Sequence, residues 1–308
     1  MKESNKYEKG LVTVAIPAFK KKYLAEAISS VLSQTYNKLE LIIVNDHSPE
    51  DLDCIVRSFK DKRIRYYKNA INLGRKSIVY NWNTCLSHAQ GEFFVLLCDD
   101  DIMDKEFIMT LMSLEKKHPL FNVFKSRTVL YDETSSRKIG ETKPWPEKEE
   151  FPEFLANTLK GMRHHTISEF MYRTAFINSK GGYVVFPAGY YSDIASVLYF
   201  SEDKGIISSE KCLLTFRKSA MNISSRDDYS FEKSKAAIQY YSWLKDRYDT
   251  SHFNTMLDHQ LDFDLYEYYQ HANFIDSIKI IFSTPSSVWN TKKKLLYIFT
   301  KLSTKKKR

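Results

Sequence analysis

Three consecutive aspartates, Asp99, Asp100 and Asp101, stand one residue, Cys98, behind the apolar run Phe-Phe-Val-Leu-Leu at 93–97. A short continuous run of this kind is the pattern of a strand buried on both faces of a parallel sheet. The carboxyl end of such a strand opens onto the crevice where open α/β sheets bind ligands. Carboxylates crowded there repel one another unless a positive charge lies among them. A hard divalent cation, Mn2+ or Mg2+, takes carboxylate and phosphate oxygens together and is the natural guest. The competing reading is a solvated acidic turn that caps the next helix. Position at a buried strand's end favours metal and nucleotide chemistry.

The elements around this triplet alternate. Residues 11–16 read as an apolar strand ended by Pro17, and Leu24, Ile28, Val31 and Leu32 mark one face of a following helix. A second buried strand covers 39–44 and closes at Asn45-Asp46. Ser48-Pro49 looks like a helix start, with Leu52, Ile55, Val56 and Phe59 as its buried face. A short strand at 64–67, a turn at 72–74 and a helix to about residue 89 come next. Gly91 breaks into the strand that delivers the aspartates, and another helix begins near Asp104. Repeated βα units imply a parallel, doubly wound sheet.

Beyond residue 130 the pattern changes. Residues 132–153 are rich in charge and proline and read as a long loop or hairpin. Strands are expected at 166–172 and 212–216, with a helix at about 192–200 between them, and helices follow residue 230. The expected organisation is a leader at 1–10, an α/β half at 11–130, a second half at 131–230 and a helical extension at 231–308.

Composition narrows the classes. The chain of 308 residues is 43% apolar and 14% aromatic, enough to build a core rather than stay disordered. No stretch approaches the length of a membrane span, and no apolar signal region opens the chain. Cys54, Cys85, Cys98 and Cys212 form no C-x-x-C pair, which excludes a zinc ribbon and suits a reducing cytosol. Net charge is +8, yet residues 289–308 carry eight Lys/Arg and no acid. Without them the remaining Lys/Arg equal the 38 Asp/Glu, so the basic charge belongs to a tail and not to a nucleic-acid groove.

Several ordered motifs together resemble glycosyltransferase family 2. They are Val12-Thr13-Val14-Ala15-Ile16-Pro17-Ala18-Phe19, Ser33-Gln34-Thr35-Tyr36, and Leu41-Ile42-Ile43-Val44-Asn45-Asp46-His47-Ser48. Asn81-Trp82-Asn83, Gly91-Glu92-Phe93 and Cys98-Asp99-Asp100-Asp101 complete the set, and the resemblance covers residues 11 to about 220. It implies a GT-A fold, with a mostly parallel Rossmann-like sheet flanked by helices and a helical C-terminal extension. It also implies transfer of a hexosyl or N-acetylhexosaminyl group from a nucleotide-sugar with inversion at the anomeric carbon.

The same resemblance suggests roles. Pro17, Ala18 and Phe19 cup the base, and Asp46 accepts its N–H, unless Asp46 caps the following helix. Asn81 faces base or ribose, or serves packing. Asp99 lies near the ribose and Asp100 ligates the metal. Cys98 stands where the family commonly has an acid, and thiolate suits Mg2+ or Mn2+ poorly. Asp101 either caps the helix near Asp104 or joins the site. Asp193, at the head of a helix, is the general base or an ordinary helix-start acid, with Glu169 in reserve. Arg217, Lys218 and Arg226 are placed to cover the diphosphate, and His164-His165 to orient the acceptor.

In the tail, Leu295, Ile298, Phe299 and Leu302 share a helical face among lysines, the pattern of an amphipathic helix on an anionic leaflet. Phe274, Ile275, Ile278, Ile281 and Phe282 form a second stripe, read as core. The expected enzyme therefore extends a bacterial surface glycan, O-antigen or capsule, on a lipid-linked acceptor at the cytoplasmic membrane face, using a UDP-sugar. Two alternatives stand beside it. One is a non-catalytic nucleotide-binding protein of the same fold at the membrane surface. The other is a sugar nucleotidyltransferase, which would need a glycine-rich phosphate loop where Lys20-Lys21-Lys22 supply charge alone.

Overall fold

The computed structural model describes residues 7–219, 222 and 229–305. Strands β1 (Glu8–Ala18), β2 (Leu39–Asn45), β3 (Ile64–Lys68) and β4 (Gly91–Leu96) alternate with helices α1 (Leu24–Leu32), α2 (Leu52–Ser58) and α3 (Val79–Ser87). Then come β5 (Ile102–Met103), α4 (Phe107–Lys117), β6 (Val123–Asp132), β7 (Arg137–Glu141), β8 (Lys148–Glu149) and α5 (Phe151–Leu159). The sheet is completed by β9 (Phe170–Arg173) and β10 (Ile206–Lys218), with α6 (Thr174–Ser179) and α7 (Ser192–Ser201) between them.

The described strands form one ten-stranded sheet in the order β3-β2-β1-β4-β9-β6-β10-β5, with β7 on β6 and β8 on β10. Strands β3, β2, β1 and β4 are parallel, as are β6 and β10. Strand β9 runs antiparallel to both β4 and β6 and joins the two parallel blocks. The α/β expectation holds, with a mostly parallel sheet flanked by helices.

Alternate residues of β1 face one core. Val12, Val14 and Ile16 pack with Leu24, Ile28 and Val31 of α1 and with Phe93 and Val95 of β4. Each such fully buried side chain contributes about 1.5–3 kcal/mol. On the other face Thr13 Oγ1 donates to Glu40 at 2.6 Å and accepts from Gly91 N at 2.9 Å. A Cβ at Gly91 would meet Leu11 O at 2.6 Å and Thr13 N at 2.7 Å. Glycine therefore starts β4 because the β1 backbone comes too close for any side chain.

Several expected boundaries move. Pro17 does not end β1: it stays paired with Val44, while pairing to β4 ends at Ala15. A residue without an N–H is tolerated where one neighbouring ladder has already stopped. The helix expected from Ser48-Pro49 begins at Leu52, capped by Asp51, whose carboxylate accepts from Cys54 N at 3.1 Å. The helix expected near Asp104 begins at Phe107, and Ile102–Met103, just before Asp104, pairs with β10. Residues Ile167–Glu169 form a 3-10 turn, so only the end of the strand expected at 166–172 is extended. The strand expected at 212–216 is the middle of the 13-residue β10.

The chain divides into two compact units. The first takes in the described residues up to Val184 together with Asp193–Ser219, and so holds the whole sheet. The second comprises Val185–Ser192 and the described residues from 222 onward, including α8 (Ser230–Arg247), α9 (Asn254–His271), α10 (Phe274–Ser283) and α11 (Thr291–Lys305). Within it Leu257, Leu261 and Leu265 bury one face of α9, and Trp289 donates from Nε1 to Asp262 at 2.7 Å. The stripe read as core on α10 splits: Ile281 is buried, whereas Ile275 and Phe282 are exposed.

Candidate active site

The exits of three neighbouring strands are tied to one another. Asp46 N donates to Ala18 O at 2.9 Å, and Ser48 Oγ donates to Phe19 O at 2.6 Å. From the other side Asp99 Oδ2 accepts from Phe19 N at 2.8 Å and from Lys20 N at 2.7 Å. The exits of β1, β2 and β4 thus meet in one rim at Phe19, Asp46 and Asp99, with Phe19 exposed. The Ala18 side chain, by contrast, lies wholly in the core and joins only through its carbonyl, and Pro17 is half-buried. Among Asp46's partners are Asn69 Nδ2 and the N–H groups of Leu73 and Gly74, at 2.8–2.9 Å. Asp46 therefore pins the 69–74 loop; the capping role falls to Asp51. An ionised carboxylate has about four acceptor sites, so these three bonds leave room for one more donor. His47 beside it is held at φ 53, a strained conformation of the kind that gathers at functional sites.

Asn81 is buried in α3, accepting from Asn69 Nδ2 at 3.0 Å and donating to Val44 O at 3.4 Å. It supports the rim through Asn69. Asn83 bonds both backbone groups of Tyr183, at 2.8 and 3.2 Å, and so anchors the chain that leads towards Asp193.

The triplet itself is buried, and its members are held differently. Asp99 clamps the β1 exit. Asp100 is ion-paired with Lys20, whose Nζ also lies 3.5 Å from Asp99 Oδ1. Burial alone would lower the Lys20 ammonium's pKa, but Asp99 and Asp100 outweigh it and the net shift is upward. Asp101 Oδ2 accepts from Ser168 Oγ at 2.6 Å and Oδ1 from Arg217 N at 3.3 Å. Burial, and then repulsion from Asp100, push its pKa up to about 8. Asp101 is therefore held beside Asp100 by Ser168 and Arg217 and caps no helix. Burial also pushes the Cys98 thiol well up, with Asp101 and Asp100 adding to it.

Ligand atoms of Cys98, Asp100 and Asp101 lie within 4.8 Å of one another, the one such group among the described residues. Two hard oxygen donors fit Mg2+ or Mn2+, whereas a protonated soft thiol does not. Arg217 is adjacent but engaged: Nε donates to Asp100 O at 3.2 Å, one terminal nitrogen lies 2.7 Å from Glu26, and the guanidinium sits 4.0 Å over the Tyr23 ring. Arg226 lies outside the described residues. The three lysines after β1 disperse, Lys20 to the triplet, Lys21 N to Glu50 and Lys22 to Glu133, and form no phosphate cradle.

Asp193 lies in the first turn of α7 and is partly buried, and desolvation raises its pKa against the opposing backbone N–H groups of Ile194 and itself. The turn before it holds Ala188 and Tyr191 at φ 52 and 62, strained values for residues with a Cβ. The buried Tyr172 hydroxyl of β9 is pushed up, first by burial and then by Tyr183, Glu169 and Asp193. Glu169 is wholly enclosed and ion-paired with Lys125 at 3.1 Å. An acceptor hydroxyl cannot reach it, which removes it as the reserve base. His165 packs edge-on to Trp145 and Phe170 with both ring nitrogens enclosed, a packing role rather than an acceptor contact.

Sequence reasoning missed Lys20 as the triplet's partner and Ser168 as the donor to Asp101. The signal for Lys20 was present, since it leaves β1 at the same sheet edge at which the aspartates leave β4.

Comparison with known proteins fits this geometry. The family profile Glycosyl transferase family 2 matches residues 13–178. A glycosyltransferase of Rickettsia typhi is 35% identical over 99 residues, covering 30% of this chain and 28% of that protein. A Campylobacter jejuni GalNAc(5)-diNAcBac-PP-undecaprenol beta-1,3-glucosyltransferase is 34% identical over 104 residues, 33% of each. The matched stretch thus spans a third or less of these relatives' lengths. Staphylococcus aureus TarS, solved with UDP-GlcNAc, superimposes with a TM-score of 0.61 at 16% identity, over 96% of this chain and 91% of that one. A Pyrobaculum calidifontis mannosyltransferase, solved with GDP-Man and Mn2+, gives 0.56 at 13% identity, over 95% and 79%. Those two likenesses speak to the fold. The family profile covers more than half of the 308 residues and encloses the strand exits and the acidic triplet, and the chain belongs to glycosyl transferase family 2.

Proposed function

We propose that this protein is an inverting glycosyltransferase that moves a sugar from a nucleotide-sugar, read here as a UDP-sugar, to a saccharide acceptor in surface-polysaccharide assembly. The observation that carries the reading is the convergence of Phe19, Asp46, Asp99 and Asp100 on bonded strand exits. The exposed Phe19 ring offers a face for the base, and Asp46 has an acceptor site left for a base N–H. Asp100, with Asp101 beside it, would hold a divalent cation, which when bound supplies positive charge to the leaving diphosphate.

In transfer, the acceptor hydroxyl oxygen attacks the anomeric carbon as the bond to the diphosphate breaks. The bonding pair leaves on the diphosphate, and the hydroxyl proton passes to the Asp193 carboxylate. A carboxyl raised by desolvation is a stronger base than a solvated one, which suits it to this step. TarS in complex with UDP-GlcNAc and the undecaprenol-linked acceptor named for the Campylobacter relative support the donor and lipid-linked acceptor classes. Exposed Leu295, Leu296, Phe299 and Leu302 on lysine-rich α11 support peripheral contact with an anionic membrane through residues 289–308. Among the described residues no helix is long and apolar enough to cross a membrane.

The test begins with thermal stabilisation by UDP, GDP, dTDP and CMP, each with and without Mn2+. A metal-dependent rise with UDP is expected. Asp193→Asn should keep that rise and lose transfer by about 10²–10⁴-fold. Transfer at the parent rate would remove Asp193 as the base. Cys98 favours a second reading, a nucleotide-binding protein without turnover. Nucleotide binding with neither sugar transfer nor donor hydrolysis would select it.

A further inference from the structure

We infer that Lys20 is a counter-ion built into the β1 exit, which a divalent cation must displace from Asp100 and whose freed ammonium then turns to the donor's diphosphate. The inference rests on the reading of this crevice as a nucleotide-sugar site.

The geometry separates an anchored end of Lys20 from a movable one. Its backbone N–H donates to Asp99 at 2.7 Å, beside Phe19 N at 2.8 Å on the same oxygen. Four flexible carbons away, Nζ rests on Asp100 Oδ2. The ammonium can leave Asp100 without moving the strand exit, because the side chain is flexible and the main chain is held by Asp99. Its side chain keeps 21% of its surface exposed, so it has a way out. Arg217, the other cation at the triplet, is held at Glu26, at Tyr23 and at the Asp100 carbonyl.

Asp100 is also the carboxylate shared by the two possible arrangements. It is a member of the Cys98–Asp100–Asp101 group that could coordinate a cation, and it is the carboxylate that Lys20 occupies. An ammonium and a divalent ion on one carboxylate repel each other, so occupancy by one opposes the other. A bound diphosphate changes that balance, since it brings negative charge for both cations at once. Lys20 therefore opposes cation binding when the crevice is empty and favours the diphosphate once the cation has entered. Metal and nucleotide binding become mutually dependent through one side chain.

The experiment titrates Mn2+ alone into parent, Lys20→Met, Lys20→Arg and the Lys20→Met/Asp100→Asn double variant, reading free Mn2+ by electron paramagnetic resonance. Lys20→Met keeps the stem and removes the charge, and is expected to bind Mn2+ about tenfold more tightly than the parent. Lys20→Arg should stay near the parent, and the double variant should lose the gain. At saturating Mn2+, Lys20→Met should bind whichever of UDP, GDP or dTDP stabilises the parent best about tenfold more weakly. Mn2+ affinity in Lys20→Met within twofold of the parent would overturn the counter-ion role. Unchanged nucleotide affinity would overturn the turn to the diphosphate. A parent that binds no nucleotide, with or without Mn2+, would overturn the crevice reading and this inference together. Nucleotide binding by the parent without an Mn2+ gain in Lys20→Met would overturn the counter-ion alone.

Discussion

Two lysine–carboxylate pairs beside the sheet, one half-open and one enclosed, behave oppositely. Lys20 faces Asp99 and Asp100 at the crevice, while Lys125 on β6 faces Glu169 inside the sheet's packing. The Lys20 ammonium is raised above its ordinary pKa, and the Lys125 ammonium is lowered. Desolvation is the largest influence on both. The difference lies in what answers it. Lys20 has two carboxylates and keeps some solvent. Lys125 has one carboxylate at 3.1 Å and no exposed surface, with the Trp145 ring 3.9 Å away and Arg127 and Arg163 nearby. Burial in turn raises Glu169, so both members of the enclosed pair are pushed towards their neutral forms. The enclosed pair thus belongs to the packing, and the open pair carries charge that a ligand can redistribute.

The strongest way to break this contrast is to unpair the enclosed lysine. Glu169→Gln should cost about 3–5 kcal/mol in urea unfolding, because it leaves Lys125 buried without a countercharge. Replacing both at once, Lys125→Met with Glu169→Leu, should restore most of that loss. A loss under about 1 kcal/mol for Glu169→Gln would mean that Lys125 carries no charge in the fold, so that the enclosed pair is a neutral one and charge is confined to the open pair.

At the open pair the effect should appear in binding. Asp100→Asn should weaken metal-stimulated nucleotide binding by at least about tenfold while leaving the melting temperature in the absence of ligand close to the parent's. Metal stimulation that survives unchanged would take Asp100 out of the cation's shell.

A third expectation concerns pH. His165, beside Lys125, is depressed to a pKa of about 3, first by burial and then by the charge of Lys125. A depressed folded pKa gives stability that is complete above the unfolded pKa, about 6.5, and is lost as pH falls towards 3. His165→Phe should therefore flatten the acid-side decline between those values, by up to about 1.4 kcal/mol per pH unit. Parallel stability–pH curves for variant and parent would show that His165 gains a proton in the fold as easily as outside it. The smallest change is expected at Cys98. With its thiol kept protonated by burial, Cys98→Ser should alter Mn2+ affinity by less than about twofold. A larger loss would make the sulfur a ligand.

Much of this was legible in the chain, and the reason differs residue by residue. The β4 run and its aspartates stand one residue apart, so apolar periodicity and the sudden acidic triplet placed them at a strand exit. The α1 face was readable for the same reason, since Leu24, Ile28 and Val31 recur at helical spacing and are all buried. Ser48 and Asp51 are both residues that cap helices, three positions apart, and local preference could not choose between them. The structure uses Ser48 to tie β2 to β1 and Asp51 to start α2. Glu169 looked available as a base because sequence does not display burial.

What the sequence determined by itself was the alternation of strands and helices, the acidic exit and family membership, because each is written in neighbouring or regularly spaced residues. Only the tertiary structure decided which charge answers which. Lys20 meets Asp100 across 80 positions of chain, Ser168 meets Asp101 across 67, and Lys125 is closed in with Glu169. Those pairings depend on distance and desolvation, quantities that exist only once the sheet has brought remote segments together.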